Sequence, residues 1–553
     1  MTENLQTRCR TRWQALKSER SSWMDHWEEI SNVLLPRSGR FFVSENNKGE
    51  KRHHEILDNT GTRALRTLAG GMMAGMTSPA RPWFRLTTLD PELDESYDTK
   101  VWMSRVTAQM QMIFQRSNVY RALHTAYEEM GAFGTSATII LDDYDRVIHC
   151  MPLTIGEYAI ATNARGQVDT LYREFRMTAG AAVREFGYDA LSSASKRLVD
   201  QHQYDQWITI INAIEPRHMR NVKGKMAKDM PWRSVYFENA PDQGKPLRES
   251  GFRNFPALCG RWIVTGGDIY GTSPGMEALG DLNQLQVEQK RKSQAIDYQS
   301  NPPIVLPADI KDDEASIIPG GIIYAGNLSQ AQAVRSAYEV PLQIDHLLLD
   351  IQDTRNRINE AFYKDIFLML TEQGGNRMTA TEVAERHEEK MLMLGPVLDR
   401  LNNEMLDPLI NLLFDRMVEA NLLPPVPAEL QGKELNVDYI SILAQSQKAI
   451  TTNAVDRFTN SLGVLAGAKP EVLDKFNADY WADYYADALG IDPRLIVSGK
   501  QVAVIRQQRA EQMQQQQQLA NAQQAADTVK SLGGIDQITS PTAQEIMGQY
   551  AGY

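Results

Sequence analysis

The chain is 553 residues long, and its 58 Lys and Arg side chains are outnumbered by 70 Asp and Glu, which gives a formal net charge of −12. This length accommodates roughly three or four domains of average size. The acidic balance argues against a static, high-affinity nucleic-acid binder, because such a protein neutralises phosphates with a basic surface. It does not exclude a surface past which DNA moves without sticking.

Three cysteines, Cys9, Cys150 and Cys259, lie far apart in the sequence. Their odd number and the lack of a C-x-x-C motif argue against a disulfide framework and favour a reducing compartment. No apolar run reaches the roughly 18 residues of a membrane span, and the polar N-terminus lacks the apolar core of a signal peptide. We therefore expect a soluble protein that is made in the cytoplasm and does not associate with a membrane.

The first helix is predicted over residues 9–35 and is ended by Pro36. Three tryptophans on one stripe indicate a core or an interface rather than a ligand site. The apolar residues of that face are Trp13, Leu16, Trp23, Trp27, Ile30 and Leu34. Residues 37–58 are polar and irregular, and His53-His54-Glu55 within them has no further metal ligands nearby, so a solvated loop is favoured.

Residues 60–86 are rich in glycine, alanine and methionine. They predict a helix that ends before Pro79, followed by an extended piece. Gly70, Gly71 and Gly75 permit close backbone approach, while the methionines fill irregular gaps. The pattern fits a tight subunit interface and a helix packed within its own chain equally well.

The middle of the chain has mixed helical and strand character. Helical patterns run from Thr99 to Gly131, and a short helix at Ala179–Phe186 ends at Gly187. The predicted strands are 136–141, 158–162 paired with 168–175, 207–213, 234–238 and 262–265. The basic segment 216–233 could contact phosphate, but a solvated loop is favoured. This part is therefore predicted to be α+β.

Residues 271–275 match G-x-S-x-G, the nucleophile elbow of hydrolases. The oxyanion hole of that motif uses the backbone N–H of the residue after the serine, and Pro274 has none. Ser273 as N-cap and Pro274 as first helical residue explain the same letters as a helix start. That helix is predicted to run to Tyr298, to be stopped by Asn301-Pro302-Pro303, and to be followed by short extended pieces over 303–335.

Two long helices joined by a glycine loop are predicted at residues 340–370 and 378–423. Thr379 and Glu382 form a capping box for the second helix, and Pro396 predicts a kink in it. The first helix would span about 46 Å, more than one compact domain encloses. Either this is a helical hairpin in a large α domain, or the helix packs against copies of itself and presents the loop to a shared axis.

The C-terminal part follows a proline-rich link at residues 423–427. A helical region at 441–489 interleaves aromatic residues with aspartates, which fits a core or subunit interface better than a base-stacking platform. Residues 501–532 are rich in alanine and glutamine. They form either a long helix packed against neighbouring copies or a disordered tail.

A search for catalytic motifs finds no convincing site. No Gly-Lys pair is followed by Ser or Thr as a Walker A motif requires, and His387-Glu388 lacks the second histidine of a zinc motif. Asp142-Asp143 is predicted in a hairpin turn, where aspartate serves the backbone. No catalytic residue, metal or cofactor is predicted.

Four motifs, in this order, resemble the portal, or head-to-tail connector, family of short-tailed double-stranded DNA bacteriophages. They are the tryptophan helix ending in Leu35-Pro36-Arg37, the segment TRALRTLAGGMMAGMTSPARPWFRL, the string GDIYGTSPGMEALGDLNQLQ followed by NPPIVLP, and NRMTATEVAERHEEK before a long helix. The resemblance covers residues 10–500, and its specificity lies in the order and spacing of the motifs.

The resemblance implies an α+β, predominantly α, portal fold with wing, stem, clip and crown regions. It implies a ring, usually a dodecamer, around a central channel. The implied regions are the wing 1–270, first stem helix 271–298, clip 299–335, second stem helix 336–370, tunnel loop 371–377, kinked helix of wing or crown 378–423, crown 424–500, and a barrel-like C-terminal helix and tail 501–553.

The implied function is a non-enzymatic channel at one capsid vertex of the virion, through which DNA is packaged by a terminase and later ejected. The implied partners are other copies of the chain, double-stranded DNA passing through the channel without sequence specificity, terminase, tail adaptor proteins, capsid and scaffolding proteins. The alternative is another virion protein, such as an internal scaffold or ejection protein. A Ser273 hydrolase or a metal-dependent nuclease using acids near Asp142 ranks behind it.

The resemblance also implies three groups of site residues. The DNA-facing tunnel loop is Thr371, Glu372, Gln373, Gly374, Gly375, Asn376 and Arg377. Candidate clip contacts to terminase or adaptor are Asn301, Pro302, Pro303, Asp309 and Lys311. Candidate basic residues of the stem are Lys290, Arg291 and Lys292.

Overall fold

The computed structural model describes residues 5–41, 49, 55–90, 93, 96–224, 226–240, 245–307, 321–325, 335–336, 344–369, 394–441, 455, 458–467, 469–489, 495–497 and 499–532. In these ranges the chain combines helices and sheets, and helices predominate, as the sequence predicts. No helix within them is both long enough and apolar enough to cross a lipid bilayer.

Four helices open the chain: α1 (Leu5–Val33), α2 (Thr60–Met76), α3 (Tyr97–Arg116) and α4 (Val119–Phe133). The tryptophan stripe of α1 is confirmed as core, and it spans two cores. Trp13 packs against the five-stranded sheet described below, whereas Trp27 belongs to the main helical core. The indole N–H of Trp27 donates to the carbonyl of Phe133 at 3.1 Å, so α1 is tied to the end of α4.

Two antiparallel sheets follow the opening helices. A three-stranded sheet has the order β3-β2-β9, with β2 (Ala137–Asp143), β3 (Val147–Leu153) and β9 (Ala257–Leu258). A five-stranded meander contains β4 (Tyr158–Thr162), β5 (Val168–Thr178), β6 (Trp207–Pro216), β7 (Trp232–Glu238) and β8 (Arg248–Phe252). The predicted pairing of 158–162 with 168–175 is confirmed, because Tyr158 to Thr162 lie opposite Arg173 to Val168.

Two short helices, α5 (Ala179–Phe186) and α6 (Ser193–Asp200), lie in the connection between β5 and β6. The predicted end of α5 is confirmed, because Gly187 adopts a positive φ of 84° immediately after it. Together with β6 these helices enclose a small separate core around Ala182, Leu191 and Ile210.

A helix pair with a small sheet at its end follows. The one-turn helix α7 (Pro274–Glu277) leads into α8 (Leu279–Ser300), and α9 (Ile344–Ala361) returns alongside α8 before α10 (Lys364–Met369). Between α8 and α9 lie β10 (Ile304–Pro307), β11 (Ile322–Ala325) and β12 (Arg335–Ser336). β10 is central, parallel to β11 and antiparallel to β12.

The remaining elements combine one strand with several helices. They are α11 (394–401), a π-helical turn (Asn402–Leu406), α12 (Asp407–Glu419), β13 (Leu435–Tyr439), α13 (458–467), α14 (Ala478–Leu489) and α15 (Gly499–Leu532). β13 pairs antiparallel with β1 (Phe84–Thr88), so the chain returns after about 350 residues to cover its own N-terminal part.

The prediction of one uninterrupted helix over 340–370 is wrong. Tyr363 has a left-handed φ of 54° and separates α9 from α10. The break lets Phe362 and Phe367 both enter the main core, and burial of two large aromatic side chains outweighs the loss of helical continuity. α9 by itself spans about 27 Å.

One further prediction needs correction, and another is only partly within the described residues. Trp262–Thr265 is not a strand: isolated bridges form at Arg261 and Ile263, and the buried side chain of Arg261, just before the predicted strand, pairs with Glu404. In the helix predicted over 378–423, the kink expected at Pro396 adjoins residues outside the described ranges. A departure from α geometry occurs farther along, at the π-helical turn beside Pro408, which has no N–H to donate to the carbonyl of Glu404.

The glycines of α2 differ in how closely other parts of the chain approach them. A Cβ on Gly71 would lie 2.3 Å from the ring of Phe367 in α10, whereas a Cβ on Gly70 would meet nothing within 4 Å. At Gly71 the close approach is therefore within the chain, between α2 and α10.

We predict that Gly71→Ala lowers the free energy of unfolding by about 1–2 kcal/mol, because overpacking against Phe367 exceeds the gain in helix propensity. Gly70→Ala is the matched control on the same helix and should be neutral or stabilising by up to about 1 kcal/mol. Urea denaturation monitored by tryptophan fluorescence measures both. Equal effects of the two variants would contradict the contact.

A buried acid joins α4 to the segment after β3. Glu129 is 3% exposed, and its carboxylate accepts hydrogen bonds from the Thr154 hydroxyl at 2.8 Å and the Ile155 N–H at 3.1 Å. Burial raises the pKa of Glu129 to about 7, and these hydrogen bonds offset the rise only in part.

Because the folded-state pKa of Glu129 lies above the ordinary value of 4.5, the folded protein holds an extra proton between these two values. The stabilising contribution is complete below pH 4.5 and is lost as pH rises through about 7. We predict that Glu129→Gln removes about 2–3 kcal/mol of the decrease in unfolding free energy between pH 5 and pH 8. Glu128→Gln, one residue away, is the control and should keep most of the pH dependence, because the Glu128 charge contributes least to the raised pKa of Glu129. Parallel pH profiles of Glu129→Gln and wild type would refute the assignment.

Candidate channel and assembly surfaces

The helix pair α8–α9 is anchored to the body of the chain by Asp58, just before α2. The carboxylate of Asp58 accepts two hydrogen bonds from the guanidinium of Arg355 in α9, at 3.0 and 2.7 Å, and one from the amide of Gln289 in α8 at 2.9 Å. The same carboxylate accepts the N–H and hydroxyl of Thr60, at 2.9 and 2.6 Å. One acidic side chain thus joins three helices.

Gln286 of α8 completes this anchor through the backbone. Its amide oxygen accepts the N–H groups of Leu57 and Asp58, at 2.7 and 2.8 Å, and its amide nitrogen donates to the Asp58 carbonyl at 3.0 Å. Burial raises the pKa of the Asp58 carboxyl, but the hydrogen bonds from Thr60 and Arg355 outweigh burial and bring it below its ordinary value. Asp58 is therefore ionised at neutral pH and holds Arg355 as a charged partner.

The sequence predicts a polar loop at Asp58 and gives no prediction of this anchor. The only local signal was an aspartate two residues before Thr60 at a helix start, where a side-chain oxygen can accept backbone N–H groups. Its pairing with Arg355 crosses about 300 residues, and no local pattern indicates it.

Polar contacts between α8 and α9 show that the helices are antiparallel. Arg357 pairs with Asp281 at 3.2 Å, and the Gln284 amide donates to the Thr354 hydroxyl at 3.4 Å. Moving three residues forward along α8 moves the partner three residues back along α9, so the register is continuous.

The inner half of the pair is covered, and the outer half is not. Leu282 and Leu285 of α8 and Ile351 and Ile358 of α9 lie in the main core. Beyond them, most side chains of 290–300 and 345–350 are exposed, and the exposed set includes large apolar residues: Ile296 at 44%, Leu348 at 41% and Leu349 at 68%. Exposed apolar side chains on a projecting element are typical of a surface that contacts another protein.

The structure locates part of each predicted site group. Lys290 and Arg291 are exposed on the outer half of α8, and Lys292 is half-buried. Asn301 is exposed at the C-terminal end of α8, and Pro302 and Pro303 follow it directly into β10, with Pro303 buried. Asp309, Lys311 and the loop residues Thr371, Glu372, Gln373, Gly374, Gly375, Asn376 and Arg377 lie outside the described residues.

Ser273, the residue of the hydrolase alternative, is a buried helix cap. Its hydroxyl oxygen accepts the Met276 N–H at 3.0 Å, and its hydroxyl group donates to the carbonyl of Ala132 at 2.8 Å. The side chain is fully buried. The predicted cap is confirmed, and the hydroxyl hydrogen is directed at a backbone carbonyl rather than at a base.

Asp142, the residue of the nuclease alternative, borders a cleft of about 650 Å³ between the β2–β3 turn, α3 and α12. Its carboxylate pairs with Arg416 at 2.7 Å. The neighbouring Asp143 accepts the N–H groups of Asp145 and Arg146, and the Asp145 bond leads the effects that hold its pKa below the ordinary value. Asp143 thus stabilises the β2–β3 turn, whereas Asp142 joins that turn to α12. Across the described ranges, no group of three or more His, Cys, Asp and Glu could hold a metal ion.

The C-terminal helices carry a further uncovered surface. On α14, Tyr480 stacks on Tyr484 and Trp481 on Tyr485, with ring centroids 6.3 and 5.2 Å apart. Tyr480 is nonetheless 60% exposed, so the single chain does not bury it as a core residue. Arg506 of α15 forms a bidentate ion pair with Asp479, at 2.7 and 2.6 Å, which fastens the long helix to α14.

Comparison with known proteins shows the family. Residues 6–497 match the sequence profile described as bacteriophage head to tail connecting protein. The chain therefore belongs to the family of bacteriophage head-to-tail connecting proteins. This match covers the helix pair, the four described sheets and the helices α11 to α14.

Two relatives are named as portal proteins. The chain is 59% identical over 543 residues to the probable portal protein of Bordetella phage BPP-1, covering 98% of each chain. It is 42% identical over 554 residues to the portal protein of Salmonella phage epsilon15, covering 100% of this chain and 99% of the relative. With the family match, these relatives establish a portal function at the capsid vertex of the phage particle.

Among solved structures, a chain of the virion of the native gene transfer agent particle matches 78% of this chain and 90% of its own length. The sequence identity is 13% and the TM-score is 0.32, which is too low to establish a shared fold.

We predict that Ser273→Ala costs about 1–2 kcal/mol of stability, because it removes a cap and leaves the Ala132 carbonyl without its donor. Thr178→Ala, which removes the N-cap of α5, is the matched control and should lower the free energy of unfolding by about 1 kcal/mol. Denaturant midpoints measure both. Hydrolysis of a p-nitrophenyl ester should be absent in both wild type and the Ser273→Ala variant. Esterase activity in wild type that the substitution abolishes would support the hypothesis that Ser273 is a hydrolase nucleophile.

Proposed function

We propose that twelve copies of the chain close into a ring whose central channel conveys double-stranded DNA into the capsid and out of it. The observation that carries the proposal is the α8–α9 pair, whose inner half is buried in its own chain and whose outer half leaves apolar side chains exposed. A helix pair of this kind is stabilised when identical neighbours cover its outer half. A repeated contact between two different faces closes into a ring when the rotation between neighbours closes.

In this proposal each region has a role. The helices and sheets before Gly271 form the wing, which contacts capsid and scaffolding proteins. α8 and α9 form the stem, and the strands β10 to β12 belong to the clip, where terminase and then the tail adaptors bind. Residues 424–500 form the crown, and residues 501–553 form a barrel-like helix and tail. Asn301, Pro302 and Pro303, at the outer end of α8, are the clip contacts that the described residues include, and Asp309 and Lys311 extend this set.

The acidic character of the chain suits a conduit. A protein with a net charge of −12 offers few counterion-releasing phosphate contacts, so DNA passes without sequence-specific or tight binding. The proposed subunit does no catalysis of its own, and the terminase supplies the energy of ATP hydrolysis. Ser273 and Asp142, the residues of the enzymatic alternatives, are occupied by structural contacts.

The loop from Thr371 to Arg377 is proposed to line the narrowest part of the channel and to help retain packaged DNA. The support is the sequence: two glycines in a polar loop between two helical segments. No described contact favours the alternative of an internal scaffold or ejection protein.

Negative-stain electron micrographs of the purified chain test the ring directly, and hollow annular particles with about twelve-fold symmetry are expected. Only solid or monomeric particles at high protein concentration would overturn the portal assembly. This measurement also separates the proposal from the scaffold alternative, which does not require a central hole.

Deleting Gly374 and Gly375 tests the loop. We predict that capsids carrying this deletion package DNA but retain it less well, because a shorter loop reaches less far into the channel. Gly374→Ala with Gly375→Ala keeps the length and is the control. Protection of packaged DNA from nuclease measures retention, and full protection in the deletion variant would remove the role proposed for the loop.

A further inference from the structure

The α8–α9 pair forms a two-helix layer, and its two edges are the sides of α8 and α9 that point away from each other. These edges carry opposite charges at nearly the same height, which means the position along the helix axes. Lys290 lies on α8 and Asp345 on α9, and both side chains are exposed. Neither forms an ion pair with any other residue of the described chain. Two unpaired charges of opposite sign on one projecting element suggest that each meets its partner elsewhere.

Lys290 lies on the edge of α8 that points away from α9. Asp281 and Gln284 mark the side that faces α9, because they contact Arg357 and Thr354. At about 100° per residue, Lys290 is rotated roughly 150° from the mean direction of those two side chains. It therefore stands on the outer edge of the two-helix layer.

Asp345 occupies the corresponding position on the opposite edge. Thr354 and Arg357 mark the side of α9 that faces α8. Asp345 is rotated roughly 150° from their mean direction. The layer thus has a lysine on one edge and an aspartate on the other, which explains why the two do not pair within one chain.

The heights of the two residues also agree. The contacts of Asp281 with Arg357 and of Gln284 with Thr354 place Lys290 level with Leu348. Asp345 is three residues away from that level, about 4.5 Å along the helix axis. A rotation about an axis that runs along the helices does not change height, so Lys290 of one copy comes within reach of Asp345 of the next.

We propose that the stem layers of neighbouring copies join edge to edge, with Lys290 of one copy paired to Asp345 of the adjacent copy. The occupant of each edge is a second copy of this chain. The aliphatic part of Lys290 packs on Leu348 of the adjacent copy. Leu348 is 41% exposed in the single chain and lies at the same height as Lys290. This inference rests on the proposed ring and specifies which helix faces which.

The pairing also bears on DNA passage. A lysine neutralised by the adjacent copy is unavailable to phosphate. The pair therefore stabilises the ring without increasing the affinity of the channel wall for DNA. The competing assignment, in which Lys290 contacts DNA, predicts instead that its charge matters for DNA passage and not for assembly.

A charge exchange tests the proposal. Wild type, Lys290→Glu, Asp345→Lys and the double variant are assembled at about 0.05 M salt, and rings are counted by negative-stain microscopy and mass photometry. Each single variant brings like charges together and should raise the concentration for half-maximal ring formation several-fold. The double variant should restore the wild-type value, and the differences should shrink at about 0.5 M salt.

Lys223→Glu makes the same charge change on the exposed loop between β6 and β7 and should leave assembly unchanged. Single variants that assemble like wild type, or a double variant that fails to recover while each single variant folds normally, would overturn the pairing. Intact rings with altered DNA passage in Lys290→Glu would also overturn it in favour of DNA contact. A wild-type chain that forms no rings would overturn the proposed function itself, so the two failures are distinguishable.

Discussion

The carboxylate of Asp58 is the contact on which the geometry of the rest depends. It holds Arg355 of α9 and Gln289 of α8 at one point, while Gln286 binds the backbone beside it. Two helices fixed at their inner halves to the same side chain cannot move independently of each other or of α2. The outer halves consequently project at a set angle, and the small sheet β10–β12 is held at their far end. An ionised, hydrogen-bonded acid is suited to this task because breaking one partner leaves a buried charge uncompensated.

The same anchor separates a covered part of the helix pair from an exposed part. Inside the anchor, Leu282, Leu285, Ile351 and Ile358 are covered by the chain itself. Outside it, Leu348 and Leu349 face solvent, as does Tyr480 on α14. Portal function gives these surfaces a purpose, because a channel wall must be built from neighbours in contact. In the proposed ring, the excess of acidic residues keeps the channel wall from binding the DNA that passes through it.

Much of the fold could be predicted where the signal is local. The tryptophan stripe of α1, the β4–β5 hairpin, the end of α5 at Gly187 and the Ser273 cap each depend on residues within one helix face or one turn, and each is confirmed. The predictions that were wrong involved competition with distant residues. Helical periodicity runs through Tyr363, but burying Phe362 and Phe367 requires a break there. No strand forms at 262–265, and just before that segment the buried guanidinium of Arg261 pairs with Glu404, more than 140 residues later.

The sequence by itself determined the class of secondary structure, most helix starts and ends, the rejection of the hydrolase motif and the family resemblance. These follow from side-chain periodicity, caps and motif order, which are properties of neighbouring residues. Only the tertiary structure decided that β13 returns to β1, that Asp58 anchors α8 and α9, and that Lys290 and Asp345 stand on opposite edges at nearly equal height. Such placements depend on which surfaces pack together across hundreds of residues. A local sequence pattern does not predict these long-range contacts.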